Sequence, residues 1–228
     1  MSKWEDSKFY RLANEVYIKN QDAIIKVLEG IHAEKMLDIG CGGGEFTLRC
    51  AHAIGSNEVY GIEIDEQKAE EAKKRGINCF CGDAGNRFPL SDEWFEVIIA
   101  NQVLEHVFDI DNMVSECHRV LKKKGILILS TPNLGALYQR VLLLFGKQPT
   151  NLHVSKIQVG NFLKGVEASG HIHALTVSAL KDLLEYHKFK IEEFKGCGFY
   201  PLTSFGGEFF ARLFPGFAVF QIIKGIRL

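Results

Sequence analysis

Residues Lys35–Glu45 read KMLDIGCGGGE, and the fold turns on this stretch. Met36, Leu37 and Ile39 make a short buried strand. Gly40, Gly42, Gly43 and Gly44 follow as a glycine-dense turn, and a helix begins at Glu45. Glycine lacks a Cβ, so the turn can adopt positive φ and lay its backbone against a ligand. It also ends at a helix N-terminus, where free N–H groups and the dipole favour a carboxylate or phosphate. The stretch is a loop suited to a nucleotide-type cofactor.

Spacing narrows the choice. The dinucleotide fingerprint needs a small residue at its third position, and counting from Gly40 that position is Glu45. A P-loop needs Gly-Lys-Ser/Thr, which does not follow. The pattern that fits is D-x-G-x-G-x-G, as Asp38, Gly40, Gly42 and Gly44.

Downstream, residues 45–54 continue as a helix, and a strand at Val59–Ile64 ends in Glu63, Ile64 and Asp65. In doubly wound sheets an acidic residue ending this strand accepts hydrogen bonds from ribose hydroxyls, typically ~20 residues past the loop. Glu63 lies 23 residues beyond Gly40. Asp65 reads as the cap of a helix Glu66–Arg75. A strand Asn78–Cys81 leads into Gly82-Asp83-Ala84, where the Asp83 carboxylate can accept from an exocyclic amine. Trp94–Ala100 (WFEVIIA) has the nearly continuous apolar character of a parallel strand and runs into Asn101–Val107, NQVLEHV. A helix Ile110–Lys122, a strand Ile126–Ser130 and Thr131-Pro132-Asn133 complete the alternation. Strands alternating with helices make a parallel sheet covered on both faces. Ligands of such sheets lie beyond the carboxyl ends of the strands, where every motif named here falls.

In this order and spacing, LDIGCGGGEFT, GIEID, GDA, FEVIIANQVLEHV and HRVLKKKGILILSTPN resemble the class I S-adenosylmethionine (SAM) methyltransferases. The subgroup they resemble contains the ubiquinone-biosynthesis O-methyltransferases and related small-molecule enzymes. The resemblance implies an α/β, Rossmann-like seven-stranded sheet, mostly parallel, with an antiparallel closing strand. Ile191–Gly196 belongs to the closing region, after a helix Thr176–His187. It implies SAM as cofactor, S-adenosylhomocysteine as product, and a small-molecule acceptor methylated at oxygen rather than nitrogen or carbon. Asp38, Gly40, Cys41, Gly42 and Gly44 are then expected around the methionine and ribose portions. Glu63 and Ile64 belong to the ribose, Asp83 and Ala84 to the adenine, and Asn101, Gln102 and Val103 to the floor beneath the sulfonium.

Glu105 and His106 are the catalytic candidates. His106 has an intrinsic pKa suited to a base; the competing reading is that both residues only open the next helix. In the same subgroup an E-x-x-E-H motif with a later histidine resembles a divalent-metal site. Here the first carboxylate is replaced by Gln102, and the later histidine is His171 or His173. A neutral amide weakens a hard-cation site, so no metal ligand is assigned. The fourth strand does not end in the Asn/Asp-Pro-Pro-Tyr/Phe pattern of enzymes that methylate nucleobase amines. Two other classes stay open: a NAD-binding oxidoreductase, disfavoured by Glu45, and a SAM-binding protein without turnover.

Composition agrees. A chain of 228 residues forms one domain with a substantial core. A net charge of -1 leaves no general electrostatic footprint for nucleic acid. No apolar run approaches the ~20 residues of a membrane span. The six cysteines form no C-x-x-C pair and read as reduced, mostly buried thiols, so a cytoplasmic protein is expected. Residues 1–30 read as an N-terminal helical flap with an apolar stripe from Val16 to Ile31, and Trp4, Tyr10 and Tyr17 as candidate contacts. Residues 134–173, led by the apolar run Leu134–Phe145, read as an inserted lid or acceptor-pocket segment. Residues 197–228 form an aromatic-rich tail. From Phe194 onward lie eight of the 17 phenylalanines, which suit a packed lid or core, a dimer surface, or an acceptor- or membrane-facing patch helped by Arg212, Lys224 and Arg227.

Overall fold

The structure, a computed structural model, describes residues 8–200, 202 and 205–228, without the side chains of 8–11 and 205. Trp4 and the side chain of Tyr10 lie outside the described residues. The chain runs α1 (Lys8–Leu28), β1 (Lys35–Ile39), α2 (Glu45–Ile54), β2 (Glu58–Glu63), α3 (Glu66–Lys74), β3 (Asn78–Cys81) and β4 (Phe95–Asn101). It continues through α4 (Ile110–Val120), β5 (Leu121–Pro132), α5 (Leu137–Leu144), α6 (Val177–Tyr186), β6 (Phe189–Cys197), α7 (Phe205–Leu213) and β7 (Phe220–Arg227).

The strands form one seven-stranded sheet in the order β3-β2-β1-β4-β5-β7-β6. β1 pairs in parallel with both β2 and β4, and β4 with β5; β7 is antiparallel to β5 and β6. The chain order reverses between β1 and β4, so their carboxyl ends open a crevice there. The glycine turn and the NQVLEHV segment rim this crevice.

Side chains alternate across a strand, and the two faces collect different cores. Leu37, Ile39, Ile98 and Leu127 pack with Met113, Val114 and Cys117 of α4 and Leu180 and Leu184 of α6. Met36, Val97, Ile99 and Ile128 pack with Ile24 and Leu28 of α1, Cys50 and Ile54 of α2, and Ala69 and Ala72 of α3. Covering on both faces explains why β4 is apolar along its length.

The expected sheet is present, with β3 at the anticipated residues and α3 capped by Asp65, whose Oδ1 accepts from the Gln67 and Lys68 amides. β5 starts at Leu121 rather than Ile126, because Leu121 pairs with Phe95 ahead of a register shift. The apolar run that begins at Leu134 becomes helical at Leu137, as α5; ahead of it Asn133 Oδ1 accepts from the Gly135 amide at 2.8 Å and holds the turn open. The sequence reading assigns no strand to 220–227, whereas the structure places β7 there, with Gln221, Ile222 and Ile223 buried. Part of the aromatic tail is therefore sheet, while Phe209, Phe210 and Phe214 of the α7 region stay exposed. Among the described residues no helix is long and apolar enough to cross a membrane.

Candidate active site

The glycine turn is tied down on the β2 side. The Gly40 and Cys41 amides donate to Ile62 O at 2.7 and 3.2 Å, and the Gly42 amide donates to Glu63 Oε2 at 2.8 Å. Glu63 Oε1 accepts from the Asp65 amide at 3.0 Å. Glu63 thus braces the loop through Oε2 and the turn after β2 through Oε1, and each oxygen keeps a lone pair for a ligand. Gly40 has φ 72° and lies so close to Val103 that a Cβ would overlap that side chain. Gly44 caps α2 at φ 94° and packs on Ala72 of α3 and on Ile77 just ahead of β3, which brings the start of α2 close against α3. Next to Gly42, by contrast, the place of a Cβ is open, so the loop backbone there faces usable space.

Asp38 is buried below the loop, 3% exposed, and its Oδ2 accepts from Thr47 Oγ1 at 2.6 Å. Burial pushes its carboxyl up to about 7; the Thr47 bond opposes the rise and the charge of Glu63 adds to it. Above Asp38 a cleft of about 250 Å³ is bounded by Gly40–Gly43, by Glu45, Phe46 and Arg49 of α2, by Asn101, and by Tyr17 and Gln21 of α1. Arg49 bridges the helices, donating to Gln21 Oε1 at 3.2 Å and to Asp22 Oδ1 at 2.7 Å.

The remaining expected cofactor residues lie around this cleft rather than in its lining. Asp83 is exposed, with Oδ1 accepting from the Gly85 amide at 2.7 Å, and Ala84 is buried behind it. Ile64 is 70% exposed at the end of β2. Gln102, at φ 58°, turns away toward β5, its Nε2 donating to Ser130 Oγ at 3.2 Å. Val103 packs under Gly40. A chain of glycine backbone, strand-end carboxylate and Asx turn suits an adenosyl ligand with an amino-acid arm.

Beside the crevice, Glu105 and His106 sit in a single helical turn, Leu104–His106. Glu105 is 1% exposed; Oε2 accepts from Thr131 Oγ1 at 2.9 Å, and Oε1 is buried without a hydrogen-bond partner among the described residues. Burial raises its carboxyl to about 7. The Glu105 carbonyl accepts from the Ile172 and His173 amides at 2.8 and 3.2 Å, which docks the insertion between α5 and α6. His171 is delivered by that docking, and ligating atoms of Glu105, His106 and His171 lie within 4.8 Å of one another. The His171 ring meets His106 edge to face at 4.8 Å and stacks on His153 at 4.7 Å. Burial, with the other two rings, lowers His171 to about 3, and burial lowers His106. His171 Nδ1 is buried and without a partner among the described residues. His173 is directed to Phe108 O at 3.3 Å, so of the two candidates His171 joins the group. Gln102 does not.

Of the three flap candidates Trp4, Tyr10 and Tyr17, the structure places Tyr17 in the cleft lining; the other two side chains lie outside the described residues. Asn20, Gln21, Thr47, Arg49 and His153 were not named. Gln21 and Arg49, or His153 and His171, are related only through docking of separate segments, and no local pattern connects them.

A methyltransferase-domain family model matches residues 37–129. A demethylmenaquinone methyltransferase of Alkalihalophilus pseudofirmus is 31% identical over 141 residues, 54% of this chain and 58% of that protein. This chain therefore spans little more than half of that relative. A ubiquinone biosynthesis O-methyltransferase of Actinobacillus pleuropneumoniae is 27% identical over 199 residues, 80% and 77% of the two chains. The fold is shared with a SAM-dependent methyltransferase structure from Thermotoga maritima, TM-score 0.62 at 23% identity, covering 97% of this chain and 93% of that one. The sheet order is that of a fold shared with SAM-dependent methyltransferase structures, and within it residues 37–129, which carry the glycine loop and the strand-end motifs, match the methyltransferase domain.

Proposed function

We propose that the chain moves the methyl group of SAM to an oxygen of a small-molecule acceptor, with Glu105 receiving the acceptor's proton. The observation that carries this reading is the buried Glu105 Oε1, without a hydrogen-bond partner among the described residues, beside two imidazoles at the carboxyl end of β4. A carboxyl held near 7 is matched to taking a proton at neutral pH. Thr131 fixes the orientation of the carboxylate. The oxygen target is also in keeping with the name of the O-methyltransferase relative.

SAM supplies a methyl on a sulfonium, a good leaving group, so alignment meets much of the barrier. In this reading Gly40, Cys41, Gly42 and Asn101 hold the methionine arm, with Asp38 and Gly44 shaping the loop from below. Glu63 takes the ribose hydroxyls, Ile64 flanks the ribose, and Asp83 with Ala84 meets the adenine. Gln102 and Val103 support the floor. Charge is neutralised as methyl leaves, which favours a dry site, and the insertion anchored on Glu105 supplies that cover. The exposed apolar side chains of α5, Val141, Leu143 and Leu144, suit an acceptor with a lipidic or aromatic body.

A second reading is favoured by the same cluster. Two imidazoles and one carboxylate with open positions form a donor set for a borderline divalent ion. Glu105, His106 and His171 would hold it, and it would lower the pKa of an acceptor hydroxyl.

The test is methyl transfer from labelled SAM to a panel of catechols, phenols and quinols, alongside calorimetry with S-adenosylhomocysteine and NADH. Binding of the adenosyl ligand alone, turnover on a hydroxyl acceptor, and a roughly 100-fold loss in Glu105→Gln at unchanged ligand affinity are expected. NADH binding in place of the adenosyl ligand, or binding without turnover on any acceptor, overturns the reading.

A further inference from the structure

Asn20 lies in α1 with no exposed surface. Its Nδ2 donates to Asn101 Oδ1 at 2.8 Å, and its Oδ1 accepts from the Ser130 hydroxyl at 3.0 Å. Ser130 Oγ accepts in turn from Gln102 Nε2 at 3.2 Å. A hydroxyl carries one hydrogen, so the chain of bonds has one direction: Gln102 to Ser130, Ser130 to Asn20, Asn20 to Asn101. The bonds between Asn20, Asn101 and Ser130 are buried, where an unmade bond costs far more than it does in water.

The consequence falls on Asn101, which lines the cleft above the glycine turn. Its oxygen is occupied by Asn20, which leaves the Nδ2 hydrogens for the cleft. Tyr17 and Gln21, on the same helix as Asn20, line that cleft as well, so docking of α1 and the polarity of the cleft wall are set together.

We propose that Asn20 is a positioning residue. It locks Asn101 as a hydrogen-bond donor toward the cleft, so that this wall selects the carboxylate of the amino-acid arm of the cofactor and not its ammonium. A carboxylate only accepts, and an ammonium only donates. The reversed amide would therefore favour the opposite end of the arm. This inference rests on the cofactor reading above.

The test compares S-adenosylhomocysteine with 5′-methylthioadenosine, which keeps the adenosyl thioether and lacks the amino-acid carboxylate. Both are titrated calorimetrically into wild type and Asn20→Asp at pH 9. The introduced carboxylate cannot donate, so Asn101 must turn its amide nitrogen toward it and show its oxygen to the cleft. Affinity for S-adenosylhomocysteine is expected to fall at least tenfold, while affinity for 5′-methylthioadenosine changes less than twofold. Equal losses for both ligands would reduce Asn20 to a packing role and overturn the proposal, as would undiminished binding of S-adenosylhomocysteine. If thermal melting shows Asn20→Asp unfolded, Asn20→Leu replaces it. A selective loss of at least threefold is then expected, and an unselective one overturns the proposal. Failure of wild type to bind S-adenosylhomocysteine is a separate outcome, which overturns the cofactor reading and this inference with it.

Discussion

The Glu63 carboxylate, at the end of β2, accepts the backbone N–H of Gly42 at 2.8 Å across 21 residues of sequence. One side chain therefore shapes the glycine turn and stands at the position expected for ribose recognition. Replacing Glu63 with Ala removes both. Affinity for S-adenosylhomocysteine is expected to drop more than tenfold, about 1.4 kcal/mol, by calorimetry on protein whose circular dichroism matches wild type. An affinity within twofold of wild type would remove Glu63 from the site.

With Glu105 as the proposed base, the reaction is expected to have a pH dependence of defined sign. The base must be ionised to take a proton, and burial holds its carboxyl near 7. Turnover at saturating substrate should rise about tenfold per unit up to that region and level off above it. In Glu105→Gln the residual rate should lack this rise. A rise of the same midpoint in the variant assigns the titration to another group.

The same carboxyls affect stability in the opposite direction from an ion-paired acid. Asp38 and Glu105 are both raised in the folded state, to about 7. Between their unfolded values and that point the folded chain holds protons that the unfolded chain has released. Their contribution is therefore full at low pH and is lost as pH rises toward 7. Urea unfolding of the ligand-free protein at pH 5 and pH 7 measures it. The difference between the two pH values should shrink by roughly 2 kcal/mol in Glu105→Gln, at about 1.4 kcal/mol per unit.

Gly61 of β2 marks a close approach between the glycine turn and the sheet. A Cβ there would stand 2.5 Å from Cys41 Sγ, which itself lies 3.5 Å from Cys79 Sγ. Gly61→Ala is expected to cost about 1–3 kcal/mol through overpacking and to weaken cofactor binding by displacing Cys41. Pairing it with Cys41→Ala, which vacates the contested space, should restore most of the stability in a denaturant titration.

Should the histidine cluster hold a cation, Mn²⁺ or Zn²⁺ would raise the melting temperature of wild type and leave His171→Ala unmoved, and a chelator would abolish turnover. A melting temperature insensitive to both ions leaves Glu105 as a base acting without metal.

Much of the sheet was legible in the sequence because its signals are local. KMLDIG and WFEVIIAN are predominantly apolar, as strands buried on both faces are. Asp65 and Thr176 stand one residue ahead of helices that they cap. β7 was not legible. FQIIKGIR lies within a run of aromatic residues, and only the partnerless edges of β5 and β6 make it a strand, through antiparallel pairing to both.

The division at the site follows the same physics. Residues close in the chain determine backbone conformation and element ends, so Lys35–Glu45, Glu63 and Asp83 announce an adenosyl cofactor from the sequence alone. Contacts between distant segments form only when the core closes, and nothing local encodes them. Closure of the core brought His171 rather than His173 beside Glu105, took Gln102 out of that group by bonding it to Ser130, and ran a one-directional hydrogen-bond chain from β5 through Asn20 to Asn101.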